Sequence, residues 1–467
     1  MSMSRFKSGH DILNRYRTGD KKMANGITFE ELGSFSEDFN SDRANLIAAN
    51  AAQKTSLLEV ATDYRGVRSI PNNFSIDLKT GKITDQKSSG RCWIFSALNT
   101  FRYEVMKKFN LENFEFSQNY IFFYDKLEKA NYFLESVLKT LDEPVDGRLY
   151  SFLNAGPLSD GGQWDMFASL VEKYGVVPKE AFPDAASSTM SRWFDEFLTS
   201  RLREDAITLR NKALSGESDA ALQKEKKAML GEFYRMLTIS LGEPPKTFDI
   251  TLRDKDDKVI QENGITPQEF YKKYVGIELS EQISLVNAPA ENKPMNKMYT
   301  VKFLGNVVEG TPVHYLNLPI EKIKEAVIAQ LKDGHPVWFG SDCLKFSGRK
   351  DGVFDRESVK IEELFNINYR FTKGDRLMYG DSAMNHAMVI LGVNINNSGK
   401  PDRWRIENSW GKDAGRDGYY IASDSWFDEF VYQVVVDKKY LDEETIALLD
   451  QPLIELEPWD PLGSLAD

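Results

Sequence analysis

Cysteine is scarce in this 467-residue chain, which contains only Cys92 and Cys343. Two cysteines are too few for the disulfide framework that is typical of small secreted domains. The chain also lacks any apolar run near the ~20 residues of a membrane-spanning helix, and its first residues are polar and charged instead of forming a signal-peptide core. We therefore expect a cytoplasmic protein that has no membrane partner.

Positive charge is outnumbered as well, because 59 lysines and arginines stand against 71 aspartates and glutamates, for a net charge of −12. Nucleic-acid binding depends on a basic surface that neutralises phosphates, so this charge argues against broad nucleic-acid binding. The sequence contains no glycine-rich phosphate loop, no paired CxxC motif and no HExxH motif. We therefore expect neither a metal nor another cofactor.

The segment of residues 86–93, QKSSGRCW, is the first that suggests a catalytic group. Apolar residues recur at helical spacing after Trp93, which predicts an amphipathic helix that begins near Cys92. The partial positive charge of a helix N-terminus favours the thiolate form of cysteine, whose ordinary pKa is about 8.5. Cys92 is therefore a candidate nucleophile. Cys343 has no histidine or second cysteine nearby in sequence, so we interpret it as an inert buried thiol.

A cysteine nucleophile needs a base, and the chain offers only four histidines. His386 stands out because it precedes the apolar run AMVIL, which predicts a buried strand that can aim its imidazole. A second predicted strand ends at Asn408, 22 residues further on, and Trp410 follows it. The other histidines lie in ordinary settings: His10, His314 and His335.

These residues fit one hydrolytic mechanism. The imidazole of His386 takes the thiol proton and later delivers it to the leaving amine. Asn408 accepts a hydrogen bond from the ring nitrogen that faces away from Cys92 and fixes the tautomer, while Trp410 covers that bond from water. The side-chain amide of Gln86 and the backbone N–H of Cys92 form the pair of oxyanion donors, and one such donor is worth about 3 to 4 kcal/mol in enzymes that have lost it.

The blocks around Cys92, His386 and Asn408 resemble the signature blocks of papain-like cysteine peptidases. Two departures distinguish this chain, because the first cysteine of the papain pattern is missing and His386 follows Cys92 by 294 residues instead of ~130 to 150. Both departures, the segment DGGQWD at residues 160–165 and the tail EPWDPLGSLA at residues 457–466 resemble the bleomycin hydrolase or aminopeptidase C family. The resemblance extends from about residue 55 to the C-terminus.

This resemblance implies an α+β, papain-like fold with two lobes and an active-site cleft between them. A helical lobe would present Cys92, and an antiparallel, β-barrel-like lobe would present His386 and Asn408. Gly161 and Gly162 would then be bare backbone against which an extended substrate pairs its main chain. The family's activity is that of a cysteine aminopeptidase that acts on peptides with a free N-terminus, and its assembly is a homohexamer.

The expected substrate specificity rests on the C-terminal residues. Pro458 and Pro461 stiffen this segment, although chain ends usually fray. In the resembled family the C-terminal arm enters the cleft and blocks one side, so that Ala466 lies at the substrate site and a terminal carboxylate pairs with the substrate's ammonium group. Asp467 extends the chain beyond Ala466, so either it is trimmed or the arm is set differently.

The hydrophobic content of 41% supports a large interior. We expect the chain to be organised in five segments. They are an N-terminal arm (1–60), a helical catalytic lobe with Cys92 (61–184), a mainly helical insertion (185–315), a β-rich lobe with His386 and Asn408 (316–450), and a C-terminal arm in the cleft (451–467). Local patterns predict a helix capped by Ser117, a helix at 320–331, and strands at 337–340, 388–393, 404–408, 418–422 and 432–436.

Three alternatives remain open at this point. An endopeptidase of the same fold with an open cleft would cut peptides whose N-terminus is blocked. A ring-shaped nucleic-acid-binding or chaperone-like protein with secondary hydrolase activity would keep its binding after Cys92→Ala. A transglutaminase-like acyl transferase commonly has aspartate as the third catalytic residue, and Asn408 argues against it.

Overall fold

The computed structural model of the chain describes residues 26–348 and 350–466, so the expectations for His10 and Asp467 lie outside the described residues. The chain divides into two compact units. The smaller unit holds the described residues up to Ala61 together with residues 360–368, and the larger unit holds the remainder. Within the described ranges, no helix combines the length and apolar character that crossing a bilayer requires.

The smaller unit is helical. Its helices are Phe29–Ser41, Arg43–Ala52, Leu57–Ala61 and Ile361–Phe365. The first helix begins with a capping box, because the Thr28 side chain accepts from the backbone N–H of Glu31 while the Glu31 carboxylate accepts from the backbone N–H of Thr28. Asp42 ends this helix and caps the next one by accepting from the N–H of Ala44.

The larger unit contains most of the helices. They are Tyr64–Ser69, Cys92–Lys108, Gln118–Lys139, Arg148–Ala155, Trp164–Tyr174, Ala186–Thr189, Arg192–Leu214, Asp219–Leu241, Pro267–Phe270, Ile320–Lys332, Lys373–Met378, Asp424–Phe430 and Glu443–Ala447. Ser117 caps its helix as predicted, since its hydroxyl accepts from the N–H of Tyr120. The helix predicted at 320–331 is also confirmed.

One large sheet runs through the larger unit. Its strands, in spatial order, are Ile454–Leu456, Lys297–Val301, His314–Asn317, Gln282–Val286, Val431–Asp437, Val337–Ser341, His386–Ile395, Pro401–Glu407, Tyr419–Ser423, Val353–Phe354 and Ser347–Gly348, and Ile76–Asp77 pairs with His386–Ile395 beside this path. The central pairings are antiparallel, whereas three pairings nearer the edges are parallel. Many helices beside one large, mainly antiparallel sheet confirm the expected α+β class.

The insertion predicted at 185–315 contains more strand than expected. Besides two long helices it holds the hairpin Phe248–Arg253 and Val259–Ile265, and it supplies the strands Gln282–Val286 and Lys297–Val301 to the large sheet. The boundary predicted at residue 315 falls inside the strand His314–Asn317. These strands pair with partners far away in sequence, including Val431–Asp437 and Ile454–Leu456, so local patterns did not reveal them.

The helix Cys92–Lys108, called the Cys92 helix below, packs on the centre of the sheet. Residues 92–101 of this helix are all buried. The indole N–H of Trp338 donates to the carbonyl of Trp93 at 3.3 Å, which fixes the start of the helix on the strand Val337–Ser341. That strand pairs with His386–Ile395, so the N-terminus of the Cys92 helix lies where the His386 strand begins.

Candidate active site

Cys92 is the first residue of the Cys92 helix, and its side chain is fully buried. The preceding residue, Arg91, makes no side-chain hydrogen bond to the helix end. Because Cys92 occupies the first position of the helix, the positive end of the helix dipole acts on its sulfur. The backbone N–H of Ala387 also donates to the Cys92 sulfur at 3.4 Å, so the sulfur lies beside the residue that follows His386.

His386 opens its strand and is 3% exposed. Its Nε2 lies 2.9 Å from Oδ1 of Asn408. An amide oxygen can only accept, so Nε2 carries the proton of the neutral ring, and Nδ1 carries the lone pair that a general base needs. The ring of Trp410 lies against the imidazole, with centroids 4.8 Å apart and planes at 31°. The structure thus brings together Cys92, His386, Asn408 and Trp410.

Gln86 lies on the loop before the Cys92 helix and is 5% exposed. Its Oε1 accepts from the Ser409 hydroxyl at 2.7 Å, and its Nε2 donates to the carbonyl of Ser89 at 2.6 Å. Because Ser409 is engaged with the oxygen, the amide is oriented with its NH₂ group available for a second donation. This second N–H and the backbone N–H of Cys92 are the groups that could bind an oxyanion.

Ser409 is a functional neighbour that the sequence analysis missed. It orients Gln86 through its side chain, and its carbonyl accepts from the backbone N–H of Gln86 at 2.8 Å. The contact joins positions 323 residues apart, so no local pattern could predict it. The only signal available was its place directly after Asn408.

Gly162 pairs with the end of the C-terminal arm, and Gly161 lies against the same segment. The N–H of Gly162 donates to the carbonyl of Ala466 at 3.2 Å, and the N–H of Ala466 donates to the carbonyl of Gly162 at 3.3 Å. A Cβ on Gly162 would lie 2.6 Å from the Trp93 ring, and one on Gly161 would lie 2.8 Å from the carbonyl oxygen of Ala466. Side chains are therefore excluded at both positions, and Ala466 is fully buried instead of frayed.

His314 and His335, the two other histidines within the described residues, have partners that are distant in sequence. The backbone N–H of His314 donates to the carboxylate of Asp165 at 3.2 Å, and Nδ1 of His335 lies 2.7 Å from the carboxylate of Glu104. Burial is the main cause that raises the pKa of Asp165 to about 6, while His314 opposes the shift. Because His314 and His335 contact the carboxylates of Asp165 and Glu104, His386 remains the candidate base.

Cys343 is buried, and its backbone N–H donates to Oδ1 of Asn385 at 3.1 Å. Neither it nor Cys92 forms a disulfide. Among residues 26–348 and 350–466, no group of three or more histidine, cysteine or acidic side chains is arranged to hold a metal ion.

Known proteins are similar to this chain over most of its length, and they confirm the expected papain-like fold. Residues 26–463 match the Peptidase C1-like family. Aminopeptidase C of Listeria monocytogenes is 46% identical over 444 residues, covering 95% of this chain and 100% of that protein, and aminopeptidase C of Streptococcus thermophilus is 48% identical over 393 residues, covering 84% and 88%. The crystal structure of PepW from Lactobacillus rhamnosis HN001 has a TM-score of 0.93 and 46% identity, with coverage of 95% and 100%.

Proposed function

Because this chain belongs to the Peptidase C1-like family, we propose that Cys92, His386 and Asn408 are the catalytic residues of a papain-like cysteine aminopeptidase. The observation that carries the assignment is the buried hydrogen bond from His386 to Asn408, at 2.9 Å, beside the sulfur of a cysteine at a helix N-terminus. Relatives named aminopeptidase C, at 43–48% identity, support the activity.

The reaction proceeds in two halves. His386 takes the proton of Cys92, and the sulfur forms a bond to the carbonyl carbon of the first peptide bond while the carbonyl oxygen becomes an oxyanion. Gln86 and the backbone N–H of Cys92 donate to that oxyanion. His386 then returns the proton to the leaving amine as the carbon–nitrogen bond breaks, which leaves an acyl-enzyme. A water molecule, deprotonated by His386, releases the N-terminal residue and restores the thiol.

Asn408 holds the imidazole through this cycle without adding charge. The thiolate and imidazolium balance each other, so a buried carboxylate is not needed as the third member. The ring of Trp410 shields the bond between His386 and Asn408 from water, which strengthens it in a medium of lower dielectric constant.

The C-terminal arm restricts the substrate. Ala466 occupies the main-chain donor and acceptor of Gly162, which are the groups that an extended substrate would use on that side of Cys92. A peptide can then place only its free N-terminal residue before the scissile bond. This pairing supports an aminopeptidase over an endopeptidase with an open cleft.

We extend the proposal to properties that rest on the resemblance. The enzyme would be cytoplasmic and homohexameric, would act on peptides with a free N-terminus, and would share the bleomycin-hydrolysing specificity of its family. Its acidic surface would bind neither nucleic acid nor membrane. Sedimentation velocity checks the assembly, and a mass other than six chains would contradict it.

The decisive assay compares an aminoacyl fluorogenic amide that has a free amine with its N-acetylated twin, with and without a thiol alkylator. Thiol-sensitive cleavage of the free-amine substrate alone is expected. Cleavage of both substrates would favour the endopeptidase, and cleavage of neither would favour the binding-protein alternative. Cys92→Ala and His386→Ala should abolish cleavage, whereas the matched control Cys343→Ser should retain it, and equal loss in all three would refute a single nucleophile.

The role of Gln86 has its own test. Gln86→Ala removes one oxyanion donor but leaves the backbone donor of Cys92 in place, so kcat should fall by about 10²- to 10³-fold with a smaller change in KM. An unchanged kcat would remove Gln86 from the oxyanion site.

A further inference from the structure

We propose that Asp160 is a positioning residue, whose carboxylate holds the loop before Cys92 in the conformation that presents the oxyanion donors and links that loop to the Gly161–Gly162 segment. The inference rests on the proposed function, because it assigns a purpose to groups around the same cysteine. Asp160 itself does not contact the reacting atoms.

Asp160 accepts hydrogen bonds from residues on both sides of Cys92 in the sequence. Its Oδ2 accepts from the backbone N–H of Gly90 at 2.9 Å, and its carbonyl accepts from the indole N–H of Trp93 at 2.7 Å. Gly90 lies between the two oxyanion donors in sequence, Gln86 and the backbone N–H of Cys92. A bond at Gly90 therefore fixes the direction of the chain that both donors share, and displacement of such donors by about 1 Å is enough to cost a large factor in rate.

The charge on Asp160 is balanced by a lysine that is buried completely. Lys126 Nζ lies 2.7 Å from Oδ1 of Asp160 and 2.6 Å from the carboxylate of Asp195, and it donates to the carbonyl of Leu158 at 2.6 Å. The Ser191 hydroxyl donates to Oδ2 of Asp160. Burial opposes ionisation of Asp160, but Lys126 and these hydrogen bonds outweigh it and hold its pKa well below the usual range. The carboxylate is thus a permanent acceptor for Gly90.

A second lysine on the same helix holds the other side of the loop. Lys129 Nζ donates to the carbonyls of Ser159 and Gly161, each at 2.7 Å, and pairs with Asp125 at 2.7 Å. The main chain around Asp160 is therefore held by lysines from two positions of the helix Gln118–Lys139. The next residue, Gly162, pairs with Ala466. One buried network consequently positions the segment that pairs with the arm, and Asp160 extends it to the loop of the nucleophile.

The test measures kcat and KM of full-length Asp160→Asn with the free-amine substrate. An amide has one acceptor oxygen where a carboxylate has two, so it cannot serve Lys126 on one oxygen and Gly90 on the other. We expect kcat to fall about 10- to 100-fold while KM changes less than about 3-fold. Asp205→Asn is the matched control, because Asp205 is also buried, pairs with Arg201 at 2.9 Å and lies on the helix Arg192–Leu214, and its kcat should stay at the wild-type value.

A second readout separates positioning from loss of the site. In a Cys343→Ser background, the rate at which iodoacetamide alkylates Cys92 reports the thiolate and not the oxyanion donors, so Asp160→Asn should keep it within about 3-fold. A wild-type kcat would overturn the proposal, and so would equal losses of kcat and alkylation rate. Wild-type protein without thiol-sensitive cleavage would instead refute the proposed function.

A further variant covers the case in which Asp160→Asn does not fold. Ser191→Ala removes one donor from the carboxylate without leaving a charge unpaired, so it is expected to fold. Its kcat should fall about 3- to 10-fold with a retained alkylation rate, and an unchanged kcat would overturn the proposal.

Discussion

The buried ion pair between Arg102 and Glu407 joins the Cys92 helix to the strand that leads into Asn408, and we predict that Glu407→Gln destabilises the fold and the site together. The two groups lie 2.7 Å apart, with side chains 2% and 1% exposed. Arg102 also donates to the carbonyl of Lys82 at 2.7 Å, which fixes its guanidinium in place. The arginine therefore cannot turn to solvent when its partner loses its charge.

The size of the effect follows from this burial. Removing one member of a buried pair leaves a charge uncompensated and typically costs 3–5 kcal/mol, so we expect about that loss in the free energy of unfolding. Replacing both members, as in Arg102→Met with Glu407→Leu, leaves no charge behind and should recover most of the loss. The catalytic rate should fall in Glu407→Gln as well, because Glu407 directly precedes Asn408.

Urea unfolding followed by tryptophan fluorescence measures the loss, and hydrolysis of the free-amine amide measures the rate. Asp77→Asn is the matched control. Asp77 pairs with Arg405, which lies on the same strand as Glu407, but the side chain of Asp77 is 44% exposed and that of Arg405 is 18% exposed. Such an exposed pair is worth at most about 1 kcal/mol. Equal destabilisation by Glu407→Gln and Asp77→Asn would refute the reasoning.

Three further predictions concern other parts of the larger unit. Gly162→Ala should cost about 1–3 kcal/mol by overpacking against the buried Trp93 ring, and weaker pairing of the arm should allow measurable cleavage of the N-acetylated amide; wild-type selectivity would contradict this. Lys373→Met should cost about 3 kcal/mol in urea unfolding, because it leaves two buried oxygens and one partly buried oxygen without their donor, whereas Lys322→Met, at an exposed pair, should leave the free energy of unfolding nearly unchanged. Burial raises the pKa of Asp195 to about 7, so between pH 5 and 7 the folded protein keeps a proton that the unfolded chain has released, and stability relative to Asp195→Asn should fall by up to about 1.4 kcal/mol per pH unit as the pH rises; parallel stability curves would contradict it.

The candidate catalytic residues could be predicted from the sequence because each of them lies in a distinctive local pattern. Cys92 precedes an amphipathic helical run, His386 opens an apolar strand, and Asn408 follows a second short strand. These strands appear near their predicted positions, as Val337–Ser341 and His386–Ile395 illustrate. What remained out of reach was the set of polar contacts that orient those groups, since Ser409 meets Gln86 only after the chain has folded.

The same limit explains why the role of Asp160 was not predicted. Its sequence neighbours, Gly161 and Gly162, were interpreted as backbone for a substrate, and the place of Ala466 at the substrate site was expected from the resemblance alone. The contact from Asp160 to Gly90 spans 70 residues, and the charge that permits it comes from Lys126 on another helix. A buried charge is recognisable only when the structure shows that its compensating partner is buried beside it.

Because the chain has only two cysteines, buried ion pairs matter more for holding the elements of the site together. Both cysteines lie outside any disulfide, so covalent cross-links do not hold the elements of the site together. Arg102 with Glu407 ties the Cys92 helix to the strand before Asn408, and Lys126 with Asp160 ties the nucleophile loop to the segment that pairs with the arm. Such pairs are costly to desolvate, yet losing one member costs more, so their value to this enzyme is a single defined arrangement of the site instead of added stability. If that is correct, replacing both members of a pair by apolar residues should restore the free energy of unfolding further than it restores kcat.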